Sequence, residues 1–497
     1  MPTLIENNES ANTHSFRDRV MGCWLGKAVG GTLGMPYEGV RHTLDLTFYD
    51  PVPDRMLPND DLDLQVVYAV LLAALDKPRV DRDTLSRAWD HIGMSPDEYG
   101  ICKRNLALGL KPPTTGLYDN PFQRGMGAAI RTELWACLAA GDPETAVRYA
   151  YEDACMDHGA EGIHAAQFLA AIEAAAFVES DRDTLLDIGL SHIPEHSELT
   201  AAIRNTRAWW AQHGDWSKVQ SLLANRYVND NFTDVVINLT YIVLGWLAGD
   251  GFGDAICKAV NGGQDTDCTG ATLGSILGIL DPDSIEDHWL RPIGRDLVLS
   301  PCITGIEHPP TLDGFTDMVL ELRERLETDT PAQPGELQPT DHLAIPAQLG
   351  WTDAWPDAKA PPPAVDGLTP IRFEGNSVSM PIAQAKGPFA VLRYKATIKA
   401  EGPTKFVFAS DRPVRVWIDQ QNVIDSPGGD FVPALHRTTP NVCCTHVELK
   451  AGEHVIDAVI DARDQSRALR WHIAFAEPGT TADVCDYLVD PLRPDRG

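Results

Sequence analysis

Pro58-Asn59-Asp60-Asp61-Leu62-Asp63 runs without a break into Leu64-Gln65-Val66-Val67-Tyr68-Ala69-Val70-Leu71-Leu72. The second half reads as an apolar helix, and three carboxylates crowd its start. Asn and Asp are favoured N-cap residues: their side-chain oxygens accept from the free N–H groups of the first turn, and negative charge suits the positive end of the helix dipole. Taken alone, this run is explained as well by capping as by cation binding.

Far downstream the pattern returns in Gly262-Gly263-Gln264-Asp265-Thr266-Asp267-Cys268-Thr269, where acids again open a helix of small residues through Gly278. In an extended run Asp265 and Asp267 point to similar sides, and hard cations such as Mg²⁺ choose carboxylate and hydroxyl oxygens. Two acidic helix starts facing one another would make a metal cage. The flanking glycines favour that pairing, because residues without bulk let helix ends approach closely.

A third element lies at the front, from Ser15 to Gly34. Ser15 and Asp18 resemble a capping box, and Gly22, Gly26, Gly30 and Gly34 share one helix face. That face is a packing feature. It is not a phosphate loop, since the spacing from Gly22 to Gly26-Lys27 is one residue short and Ala28 stands where a P-loop needs a hydroxyl.

From Ser15 to Glu327 apolar residues recur at helical spacing, so residues 1–327 read as one all-α domain. Prolines crowd residues 328–363 and mark a linker. Beyond it, Phe389–Tyr394, Lys405–Ala409, Val414–Ile418, His446–Leu449 and Val455–Ile460 are short, partly alternating segments between turns, a β-sandwich pattern over residues 364–477. Trp417 and Trp471 lie on such runs and read as sandwich core rather than sugar platforms. Residues 478–497 read as a tail. The fold class is therefore multidomain, an all-α domain followed by a β-sandwich.

Bulk composition narrows the partners. A chain of 497 residues needs at least two cores, and its net charge of −30 argues against nucleic-acid and anionic-membrane partners. The polar, acidic N-terminus does not read as a signal peptide, and the apolar run Val235–Ala248 is short for a membrane span, so a cytoplasmic location is expected. Ten cysteines without paired spacings are expected as reduced thiols, the adjacent Cys443 and Cys444 included.

The glycine row closing in Gly34-Met35-Pro36-Tyr37-Glu38, the Asn59-Asp60-Asp61 start and Asp265-Thr266-Asp267, in that order, resemble the ADP-ribosylglycohydrolase family. Gly125-Met126-Gly127-Ala128-Ala129-Ile130-Arg131 and Asp157-His158-Gly159-Ala160-Glu161 fall where that family lines its ribose and diphosphate pocket. The resemblance implies a binuclear Mg²⁺ centre held by Asn59, Asp60 and Asp61 from one side and Asp265, Asp267 and Cys268 from the other, gripping ribose hydroxyls while the bond to C1 breaks. It implies Glu38 as general acid/base, with Asp61 as the alternative base, and Gly127, Arg131 and His158 as substrate-binding residues.

Four positions depart from the family pattern: Asn59 and Leu62 in the first motif, Met126 in the pocket segment, and Cys268 where a hydroxyl is usual. A thiol is a poor ligand for a hard cation, which leaves the metal count open. Met126 replaces an asparagine and removes an amide from the pocket, so a smaller N- or O-riboside or another furanoside stands beside an ADP-ribosylated substrate. A riboside-binding protein and a purely structural one are the non-enzymatic alternatives, and a homo-oligomer is left open. Residues from about Leu368 to Ala476 resemble the PA14 type of β-sandwich, which implies no fixed role.

Overall fold

The computed structural model describes residues 14–93, 95–327, 335–429, 443–478, 488 and 490–493. By their contacts the residues form two compact units: 1–92 with 124–334, and 93–123 with 335–497.

The first unit is helical. Its first helix, α1 (Phe16–Gly34), begins on a true capping box, with Ser15 and Asp18 exchanging side-chain and backbone hydrogen bonds. Along α1 the glycine face lies antiparallel against the helix Thr266–Leu280. A Cβ placed on Gly22, Gly26, Gly30 or Gly34 would meet the carbonyl oxygens of Gly278, Gly274, Gly270 and Thr266 at 2.2, 2.0, 2.0 and 2.2 Å. The two backbones touch with no side chain between them, a separation only glycine allows. This contact sets the end of α1 beside the start of the partner helix, where Thr266 Oγ1 donates to Gly34 O at 2.8 Å.

The apolar segment Val235–Ala248 is a helix buried from Val235 to Leu247. Among the described residues, no helix is long and apolar enough to cross a membrane. The second acid-bearing helix, α2 (Asp60–Ala73), is capped by Asn59, whose Oδ1 accepts from Asp61 N at 2.7 Å.

Among the described residues of the second unit, ten strands make two antiparallel sheets. They are β1 (Ile345–Thr352), β2 (Thr369–Phe373), β3 (Ser377–Met380), β4 (Phe389–Ile398), β5 (Gly402–Ala409), β6 (Val414–Ile418), β7 (Gln421–Ser426), β8 (Cys444–Leu449), β9 (Gly452–Asp461) and β10 (Leu469–Ala476). One sheet has the order β2-β1-β4-β9-β6-β7 and the other β3-β10-β5-β8. Their inner faces share one core, and Trp471 Nε1 donates across it to Tyr394 Oη at 2.8 Å. Trp417 and Trp471 are fully buried.

Two features differ from the boundaries expected from sequence. The expected linker carries β1, in which Pro346 lies at the second position, opposite Arg372 of β2 and ahead of Ala347, where pairing with β4 starts. Residues 93–123, inside the expected helical domain, pack with the sheets. Asp119 accepts from Asn376 N at 2.7 Å and Ser377 N at 2.9 Å, and Ile101 and Phe122 pack with Val407, Ala474 and Ala476. Residues 328–334 of the linker and most of the 478–497 tail lie outside the described residues.

Candidate metal centre

Glu38 follows directly on the single turn Met35–Tyr37 that ends α1. Gly39 N donates to Gln264 O at 2.9 Å and Gln264 N to Val40 O at 2.7 Å, which ties this loop to the residue before Asp265. Gln264 holds a left-handed φ of 69°, a conformation that costs a non-glycine residue about 1–2 kcal/mol; the paired hydrogen bonds on either side keep it there. Asp265 N donates to Asn238 Oδ1 at 3.1 Å, which fixes the start of the helix from a third side.

These anchors bring two trios of side chains together. Ligating atoms of Glu38, Asp265 and Asp267 lie within 4.8 Å of one another, and so do those of Asp61, Asp267 and Cys268. Asp267 belongs to both. Asn59 Nδ2 donates to Asp267 Oδ2 at 3.4 Å, so the amide lies beside the carboxylate that both trios share. Asn59 fits because the neighbouring residue is Gly31: a Cβ there would approach Asn59 Nδ2 to 2.7 Å. Asp60 is in neither trio, but its charge is felt by both Asp265 and Cys268.

Burial is the largest influence on these acids and raises the pKa of Asp61, Asp265 and Asp267 alike. Negative neighbours add to the effect on Asp265 and Asp61, whereas Lys27 opposes it at Asp61 and the hydrogen bond from Asp265 opposes it at Asp267. Asp61 Oδ2 and Asp267 Oδ1 are buried without a hydrogen-bond partner. Uncompensated carboxylate oxygens in a dry site are costly, and a divalent cation is the group that would satisfy them. The donor set fits one.

Beneath the acids lies a network that sequence reasoning missed. Lys27, dismissed above with the phosphate-loop resemblance, is buried and places Nζ 2.7 Å from Glu133 Oε1 and 3.4 Å from Asp61 Oδ1. Gln65 Nε2 donates to Glu133 Oε2 at 2.9 Å. The one available signal was the lysine itself, a charged residue in the apolar stretch 20–31 of a glycine-rich helix whose other charges, Arg17, Asp18 and Arg19, lie in its first turn.

Gly127, Arg131 and His158 form a separate set. Arg131 is wholly buried, bonded to Asp153 at 2.9 Å and Asp157 at 2.8 Å, and it donates to Gly127 O at 2.8 Å. His158 Nε2 accepts from Ala128 N at 3.3 Å, which leaves the proton on Nδ1 to donate to Asp157 Oδ1 at 2.6 Å. Neither trio includes these residues.

A helical unit that gathers buried acids at two helix starts, followed in the chain by an antiparallel sandwich, defines an all-α domain with a candidate cation site and a separate β module. Residues 12–326 match the ADP-ribosylglycohydrolase family model, and the chain belongs to that family of glycohydrolases. No curated protein matches the chain in sequence. Among solved structures, an ADP-ribosylglycohydrolase-related protein complex is similar over 62% of this chain and 98% of its own, with 19% identity and a TM-score of 0.44. The PA14 domain of the MpAFP antifreeze protein is similar over 33% of this chain and 93% of its own, with 12% identity and a TM-score of 0.19. A β-glucosidase from Kluyveromyces marxianus in complex with glucose is similar over 27% of this chain and 16% of its own, with 10% identity and a TM-score of 0.20.

Proposed function

We propose that the chain is a metal-dependent hydrolase of the ADP-ribosyl hydrolase type, cleaving the glycosidic bond at C1 of a ribosyl group with Mg²⁺ as its cation. The observation that carries this reading is Asp267, buried and common to both trios. A divalent cation held there would act as a Lewis acid toward adjacent ribose hydroxyls and fix the sugar in position while the C1 bond breaks. Glu38, half-buried at the end of α1, is the group placed to exchange a proton with substrate or water. Asp61 is the alternative base. Asn59 orients Asp267, and Lys27 holds one oxygen of Asp61.

A second reading, a smaller riboside or furanoside as substrate, is favoured by the state of Arg131, whose guanidinium is already bonded to Asp153, Asp157 and Gly127. A side chain so engaged is poorly placed to receive the distal part of ADP-ribose.

The test is to incubate the protein with Mg²⁺ and substrates ranging from ADP-ribosylated peptide to simple ribosides, with Asp60→Ala and Asp267→Ala as controls. Metal-dependent release of ADP-ribose supports the first reading, and turnover of small ribosides alone moves the assignment to the second. Undiminished turnover by Asp267→Ala overturns both.

A further inference from the structure

The two trios differ in one respect that bears on which metals they hold. Glu38, Asp265 and Asp267 offer only carboxylate oxygens, the donors that hard cations such as Mg²⁺ select. The other trio replaces one oxygen with the Cys268 sulfur, and thiolates select borderline and soft cations such as Zn²⁺ and Co²⁺ over Mg²⁺. We propose that the chain holds an unlike pair of cations bridged by Asp267, with a hard ion at Glu38, Asp265 and Asp267 and a thiophilic divalent ion at Asp61, Asp267 and Cys268.

The thiol is held in place. Cys268 sits in the first turn of the helix Thr266–Leu280, 5% exposed, and donates to Asp265. Asp61 and Asp267 are each 1% exposed, and each keeps one oxygen without a hydrogen-bond partner. Asp61, Asp267 and Cys268, from two helices, therefore each offer a ligand atom within 4.8 Å of the others, and all three are buried. Lys27 of α1 donates to Oδ1 of Asp61 on α2 and so leaves Oδ2 as the oxygen without a partner. Binding of the metal displaces the thiol proton to solvent, because the thiolate is the ligand.

This inference rests on reading the acids as a cation site, and the experiment separates the two. The full-length protein is stripped of metal and titrated with Co²⁺, whose bond to a thiolate produces a charge-transfer absorption in the near ultraviolet. Mg²⁺ binding is followed in parallel by the rise in melting temperature. Wild type is expected to show the charge-transfer band. Cys268→Ser is expected to lose it and to bind Co²⁺ about a hundredfold more weakly, at or beyond the usual effect of disturbing a metal site's supporting residues, while keeping its response to Mg²⁺. Cys268→Thr, which restores a hydroxyl of similar bulk, is expected to behave in the same way and provides a second folded variant. If wild type shows no such band while Mg²⁺ still raises the melting temperature, the mixed pair is overturned and the cation reading stands. If the band persists in both variants, another of the cysteines is the ligand and the proposal fails. If neither ion has any effect on wild type, the cation reading fails with it.

Discussion

The Lys27 ammonium stands 3.4 Å from Asp61 Oδ1, both residues about 1% exposed, with Glu133 on its other side at 2.7 Å. Burial works against the charge on Lys27, but Glu133 and Asp61 outweigh it and hold its pKa above the ordinary value. The lysine therefore stays charged within the core and compensates two buried carboxylates at once. It links the framework of the unit to the acid whose other oxygen has no partner.

Removing one member of such a buried group leaves uncompensated charge. Lys27→Met is expected to lower stability by about 3–5 kcal/mol, the usual effect of breaking a buried ion pair from one side. In the double variant Lys27→Met/Glu133→Leu part of that loss should return, because the stranded carboxylate is gone as well. Urea unfolding of the two variants measures this; equal stability of the single variant and wild type would count against the network.

Gly30→Ala tests the contact that aligns the site. Its Cβ would lie 2.0 Å from Gly270 O, a backbone atom that cannot rotate away. The helices must part, at a cost of about 1–3 kcal/mol or more for overpacking, and the displacement moves Glu38 relative to Asp267. Gly31→Ala meets the Asn59 amide at 2.7 Å instead, a side chain that can give way. A smaller loss of stability with a weaker response to Mg²⁺ is expected there. The pair of melting curves, with and without Mg²⁺, distinguishes the two effects.

The helix starts at Asn59 and Asp265, the glycine row of α1 and several sandwich strands were legible because each is a local pattern: caps, a period of four residues, alternation between turns. The residues bordering the site were legible for the same reason, yet their grouping was not. Nothing in the sequence says that Asp267 is shared between two trios or that Asn59 turns its amide toward it. Lys27 meets Glu133 across 106 positions, a relationship set by packing of helices rather than by any local preference. β1 was hidden because the prolines around it mark a linker in sequence, whereas the fold places its one proline, Pro346, ahead of the residues paired with β4. Likewise, the helical pattern of residues 93–123 does not reveal that Asp119 fastens them to Asn376 and Ser377.

Asp267→Ala should be the most damaging single change at the site. Loss of Lewis-acid stabilisation worth several kcal/mol corresponds to a fall in turnover of about a hundredfold to a thousandfold, and the rise in melting temperature with Mg²⁺ should vanish. Asn59→Ala removes the cap of α2 and the amide beside Asp267 together. Its cost to stability is expected at about 1 kcal/mol, as for other N-caps, with turnover reduced less than in Asp267→Ala. Initial rates and melting curves for the two variants check the ranking, and a larger catalytic loss in Asn59→Ala would contradict it.

The sandwich carries its own pH dependence. His472 is fully buried on β10, its Nδ1 2.9 Å from Ser377 Oγ, and burial lowers its pKa to about 4, with Asp119 opposing and Arg104 reinforcing the shift. In the unfolded chain a histidine titrates near 6.5. Between these values the unfolded chain binds a proton that the folded unit refuses, so stability is complete above about pH 6.5 and falls as the pH drops toward 4. Over the interval from pH 7 to 5 the linkage amounts to about 2 kcal/mol. His472→Gln, which cannot take up the proton, should show a shallower loss of melting temperature over the same interval. An identical slope in the two proteins would place the acid sensitivity elsewhere.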